Sequence, residues 1–186
     1  PPAAPMQRRP CTGDCSSGAS RGIETRDVEP LVEREIVLDE IERLAVRKHL
    51  DGMAADRRRF WSLERPWEYR SVEPIEAGGP RPGVRHLWFR LIDRCPDDPI
   101  LQRCLLAYMS DYHLLETATL PHGLSYRSGD VTLASIDHGM WFHRPVRVDE
   151  WLLYALVSPS SSGSRGLAFG RIFDREGRLV ASTAQE

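Results

Sequence analysis

No run of apolar residues in this chain approaches the about 20 that a membrane-crossing helix needs. Charge of one sign is missing too. The 25 Lys and Arg nearly balance 27 Asp and Glu, for a formal net charge of -2. That balance leaves no electrostatic footprint for nucleic acid or for an anionic membrane surface. Cysteine is sparse. Cys11, Cys15, Cys95 and Cys104 form no disulfide framework in a chain of 186 residues. Cys11 and Cys15 have no second ligand pair nearby to suggest zinc, so all four read as free thiols. The first residues, Pro1-Pro-Ala-Ala-Pro-Met6, lack the charged and apolar zones of a secretory signal. The reading is a soluble, cytoplasmic chain that begins inside a longer one.

What is present is enough for one domain with a real core. Residues 1–30 are rich in Pro, Gly, Ser, Arg and Asp, a composition that cannot offset chain entropy, and read as a linker or disordered arm. Residues 31–60 read as a linker carrying an amphipathic helix, with Val37, Ile41, Leu44 and Ala45 at helical spacing. Arg57-Arg58-Arg59 reads as a solvated charge run. The folded domain is expected over residues 61–186.

Strands are expected at Trp67–Val72 and Arg85–Ile92, where apolar and polar residues alternate or aromatics cluster. A helix then runs from Ile100 towards Leu115, with Asp97 or Asp98 as its cap and Pro99 in its first turn. It is apolar nearly all round, the pattern of a buried helix. Further strands are expected at Val131–Phe142, Trp151–Val157, Gly166–Phe173 and Leu179–Ala184. Pro159–Arg165 reads as a flexible Ser/Gly loop and Asp174-Arg-Glu-Gly177 as a hairpin turn. One central helix against a long antiparallel sheet makes the class α+β.

The run from Val131 to Pro145 crowds a hydroxyl, an acid and two histidines into an apolar segment. Buried polar groups cost a few kcal/mol unless hydrogen-bonded, about 1–3 in mutational data, so such a run can be a site wall. On an extended strand Ser135 and Asp137 would share one side, and Ala134, Ile136 and His138 the other. Asp111 has two readings: a solvated helix end, or a buried carboxylate with the raised proton affinity of a general base. No G-x-S-x-G elbow exists, so a serine-hydrolase nucleophile is not expected. His113, His122, His138 and His143 fall in no metal-binding spacing and read as structural. Gln185 offers a donor and an acceptor but no signal by itself.

Several segments together resemble the acyl-CoA thioesterase II family, in its order and with similar spacings. They are Leu106-Ala-Tyr-Met-Ser-Asp111, Leu120-Pro-His122, Ile136-Asp-His-Gly-Met-Trp-Phe-His-Arg-Pro145, Glu150-Trp-Leu-Leu-Tyr154, Ser164-Arg-Gly166 and Ala181-Ser-Thr-Ala-Gln-Glu186. The D-H-x-M-W-F-H-x-P block is the most specific of them. The resemblance implies a tandem of two hotdog domains, each a curved antiparallel sheet around one long helix. This chain is similar to the second hotdog with its preceding linker, clipped in its last strand. The resemblance further implies that Asp111, Ser135 and Gln185 position and activate water for hydrolysis of acyl-CoA, with no cofactor, no metal and no covalent intermediate. It implies a homo-oligomer or pairing with the absent hotdog, and a peroxisomal location if the source is eukaryotic.

Two other functions compete with this one. A hotdog hydratase would need an Asp and His pair in a D-x-N-P-x-H-like context, which is absent here. A non-catalytic acyl-CoA-binding or assembly domain would follow if loss of the first hotdog removed part of the acyl tunnel.

Overall fold

The computed structural model describes residues 66–73, 79–125 and 131–186. The expected arm, the amphipathic helix over 31–50, the Arg57-Arg58-Arg59 run and Cys11 and Cys15 lie outside them. The described residues form six strands, one α-helix and one 3-10 helix. They are β1 (Trp67–Ser71), β2 (Val84–Leu91), α1 (Pro99–Ser110), the 3-10 helix (Leu115–His122), β3 (Gly139–Phe142), β4 (Leu152–Ser162), β5 (Arg165–Phe173) and β6 (Leu179–Gln185). The strands form one antiparallel sheet in the order β1-β2-β4-β5-β6-β3. The expected α+β class holds.

Period-two alternation decides which side chains meet the helix. Leu87, Phe89 and Leu91 of β2 and Leu152, Tyr154 and Leu156 of β4 join Leu106 and Met109 of α1 in the main core. The residues between them, Trp88 on β2 and Leu153 and Ala155 on β4, pack with Phe173 on the opposite face. The Arg70 and Arg90 guanidinium groups lie over the Trp151 ring at 4.7 and 4.6 Å, and Glu68 binds both.

Asp98 caps α1, accepting from the Ile100 N–H at 2.9 Å, with Pro99 in the first turn. Gln102 anchors the same end: its Nε2 donates to the Pro96 carbonyl and its Oε1 accepts from the Val148 N–H. The helix ends earlier than the sequence pattern predicts, at Ser110 rather than Leu115. The Ser110 carbonyl accepts from the Tyr154 hydroxyl at 2.9 Å, and His113 adopts a left-handed conformation with φ 67°. Nor is α1 buried all round. Ile100, Cys104, Tyr108 and Asp111, spaced four, four and three apart, form one exposed stripe.

Two further expectations are corrected. Residues 159–162 are strand, not loop. Proline, which lacks an N–H, sits where the β4–β5 register shifts between Val157 and Ser160, and pairing resumes beyond it. Gly163 and Ser164, both at positive φ (59° and 61°), then close a two-residue hairpin of the type that matches sheet twist. The expected strand Val131–Phe142 reduces to Gly139–Phe142. Upstream of it, the Ile136 N–H reaches the Glu186 carbonyl, but Asp137 Oδ1 takes the Glu186 N–H in place of a main-chain carbonyl. A regular ladder does not extend there.

Among the described residues no helix is long and apolar enough to cross a membrane.

Candidate active site

The site is built where α1 ends beside β6 and the segment leading into β3. Tyr154 fixes the junction. Its phenol is buried on β4, and burial pushes its proton affinity up, so it stays a hydrogen donor. It gives that hydrogen to the Ser110 carbonyl, so the Thr183 hydroxyl must donate to the Tyr154 oxygen across 2.8 Å. Gly170 makes room for the ring, because a Cβ there would collide with the Tyr154 ring and the Thr183 hydroxyl.

Asp111 follows Ser110 directly as the C-cap of α1. Two residues beyond Thr183 on β6, Gln185 is fully buried. Its Nε2 donates to Asp111 Oδ1 at 2.6 Å and to the Ser135 hydroxyl. The amide orientation is fixed by chemistry, because an ionised carboxylate only accepts. Ser135 in turn reaches Asp111 Oδ1 in a long contact of 3.5 Å. The three residues singled out from the sequence are therefore one hydrogen-bonded cluster. Gln185 Oε1 is buried with no partner, an acceptor left waiting for a hydrogen.

The buried-carboxylate reading of Asp111 is corrected: its side chain is 58 % exposed at the end of the uncovered stripe. Ser135 lies on irregular backbone rather than on a strand, and so do Asp137 and His138. Asp137 faces the Glu186 N–H while His138 faces Ser110 and Asp111, so the two do not pair.

The other three histidines singled out from the sequence have structural partners. His122 meets Ser161 at 3.0 Å, His143 meets Ser182 at 2.9 Å, and His113 lies beside Glu116. The surface arginines Arg144, Arg147, Arg165 and Arg171, which could meet the phosphates of CoA, have partners within the chain: Arg147 binds Asp149, Arg165 binds Glu186, Arg144 donates to the Leu179 carbonyl, and Arg171 lies over the Phe173 ring. Sequence reasoning passed over Tyr154 and Thr183, which hold the cluster together. The available signal was a single phenol within the apolar run Leu152–Leu156.

One antiparallel sheet packed on one long helix makes this a hotdog domain. A protein with a hot dog fold from Alicyclobacillus acidocaldarius superposes with a TM-score of 0.51 at 15% identity, over 64% of this chain and 44% of that one. The acyl-CoA thioesterase family model matches residues 58–186, and the chain belongs to that family. An acyl-CoA thioesterase II from Mycobacterium marinum is 41% identical in structural alignment, with a TM-score of 0.56, covering 73% of this chain and 50% of that one. Acyl-CoA thioesterase 2 of Haemophilus influenzae is 40% identical over 129 residues, 68% of this chain and 45% of that protein. The chain thus spans about half the length of these relatives.

Proposed function

We propose that this chain carries the water-activating half of an enzyme that hydrolyses acyl-CoA thioesters to fatty acid and CoA. Asp111 takes a proton from water, and the water oxygen adds to the thioester carbonyl carbon. The C–S bond then breaks, sulfur leaves with the electron pair, and it recovers the proton from Asp111. A thiolate leaves readily, so a single carboxylate suffices as base. Ser135 and Gln185 hold Asp111 Oδ1, which leaves Oδ2 to face the water. The observation that carries this reading is the hydrogen-bonded meeting of Asp111, Ser135 and Gln185, with the Asp111 side chain 58 % exposed to solvent.

The domain reading follows from the same surface. Residues 61–186 form the second hotdog, and a first hotdog, or another copy of this one, covers the stripe of Ile100, Cys104 and Tyr108. The exposed Trp141 and Phe142 extend that surface onto β3, where Arg103 of α1 lies over the Phe142 ring. Placement in the cytoplasm completes the reading. The uncovered stripe also favours a second role for the chain by itself, as an acyl-binding or assembly module.

The deciding experiment measures free thiol released from a panel of acyl-CoAs, using this chain alone and joined to the additional half its relatives possess. The joined protein is expected to hydrolyse them, and Asp111→Asn to lower turnover about 100- to 10,000-fold. Near-normal turnover by Asp111→Asn removes Asp111 as the base.

A further inference from the structure

Ser110 and His138 form a contact that the cluster above does not use. The Ser110 side chain is fully buried, and its hydroxyl donates to the Ala107 carbonyl at 2.8 Å. A hydroxyl has one hydrogen, and that bond spends it. The same oxygen lies 2.9 Å from His138 Nε2, so the hydrogen in that contact must belong to the imidazole. The Met140 sulfur, at 3.7 Å from the Ser110 oxygen, is a longer and weaker acceptor. His138 is thereby fixed as the Nε2–H tautomer, and its Nδ1 lone pair stands 4.0 Å from Asp111 Oδ1.

We infer that His138 is a positioning residue acting through Asp111, and that the two bind one proton between them during turnover. Imidazole is ordinarily the stronger base of the two. The proton that Asp111 takes from water therefore passes to Nδ1, and the product of that transfer is an imidazolium–carboxylate pair. When the C–S bond breaks, the proton returns through Asp111 to the departing thiolate, so no proton is gained or lost in the cycle. Once protonated, the Asp111 carboxyl can give up the long 3.5 Å contact with Ser135 and turn its O–H across the 4.0 Å separation towards Nδ1. Neighbouring charges are already engaged: Asp137 accepts from the Glu186 N–H, and Glu186 pairs with Arg165 at 2.8 Å. Gln185, facing from β6, is neutral.

This inference rests on the proposed hydrolysis for its kinetic meaning, but the pair can be tested without activity. Nitrogen-edited NMR of the imidazoles in this chain reads the tautomer and the surroundings of each ring nitrogen. The expected result is an Nε2–H tautomer for neutral His138 and a changed Nδ1 resonance in Asp111→Asn, which replaces the carboxylate facing Nδ1. An Nδ1–H tautomer, or an unchanged Nδ1 resonance, overturns the pair whether or not the protein hydrolyses thioesters.

The kinetic arm uses His138→Gln in the joined protein, since an amide keeps a donor for Ser110 yet does not titrate. Its kcat is expected to fall about tenfold to a hundredfold with little change in KM. The acid limb of its pH profile is expected to move to lower pH, because the imidazole is then missing and a carboxylate, ordinarily the weaker base, is left to hold the proton. A fall in kcat with an unmoved acid limb assigns His138 a merely structural role and overturns the inference. Failure of the unsubstituted protein to release thiol, with the NMR result intact, overturns the hydrolase reading instead.

Discussion

The Tyr154 hydroxyl donates to the main-chain carbonyl of Ser110 at 2.9 Å, and this bond ties the end of α1 to the middle of the sheet. Asp111 is the next residue. Its placement therefore depends on a phenol that never touches it.

Tyr154→Phe leaves the Ser110 carbonyl without that donor and the Thr183 hydroxyl without its acceptor. A loss of about 1–3 kcal/mol of stability is expected, read from urea unfolding. In the joined protein turnover is expected to fall more than KM changes, because the proposed base is displaced while the binding surface stays. Unaltered stability and turnover would separate the phenol from the site.

Gly170→Ala attacks the same junction from β5. The added methyl falls on the Tyr154 ring edge and lies 2.8 Å from its hydroxyl in the unrelaxed structure. Overpacking of this kind costs about 1–3 kcal/mol, seen as a lower melting temperature. Wild-type melting would mean that the ring has room to move.

Within the polar cluster, Ser135→Ala should reduce turnover less than Asp111→Asn. The hydroxyl reaches the carboxylate only across a long 3.5 Å contact, whereas the proposed mechanism gives the proton to the carboxylate itself. The reverse ranking, with a trapped acyl-enzyme, would make Ser135 a nucleophile.

Acid should loosen the loop ahead of α1 through Asp149. Hydrogen bonds from Arg147 outweigh burial and hold this carboxyl below the ordinary range, and the Cys95 N–H also donates to it. The unfolded chain binds the proton more tightly than the folded one. The resulting stability is thus present above the unfolded value, about 3.9, and is lost as pH falls through the lower folded value. Urea midpoints taken between pH 6 and pH 3 should fall less steeply in Asp149→Asn than in the unsubstituted chain.

Cys104 reports on what covers α1. It is exposed in the middle of the helical stripe, whereas Cys95 is buried and burial pushes its thiol up. Iodoacetamide should label Cys104 in the chain alone, and joining the other half should slow labelling by more than about tenfold. Equal rates would place the partner surface elsewhere.

The central strands were legible because their own side chains declare the pleat. Leu87, Phe89 and Leu91 alternate with Trp88, and the pattern needs no knowledge of the partner strand. The segment before β3 was not legible for the opposite reason. Its alternation of Val131, Leu133 and Ser135 fits a strand, but strand formation needs a neighbour's main chain, and Asp137 substitutes a carboxylate there. The end of α1 was hidden similarly, since the Ser110 carbonyl is claimed by Tyr154 from 44 positions away. Asp111 and Gln185, 74 positions apart, came from a resemblance between segments, not from any local rule.

Asp111 shares its helical stripe with Ile100, Cys104 and Tyr108, so the carboxyl proposed as the base and the greasy contact area are one continuous strip. Any body that settles on the strip must also displace bulk solvent from around that carboxyl. Under the proposed hydrolysis, dehydration of the base and burial of the hydrocarbon surface become a single event, and catalytic competence is tied to assembly.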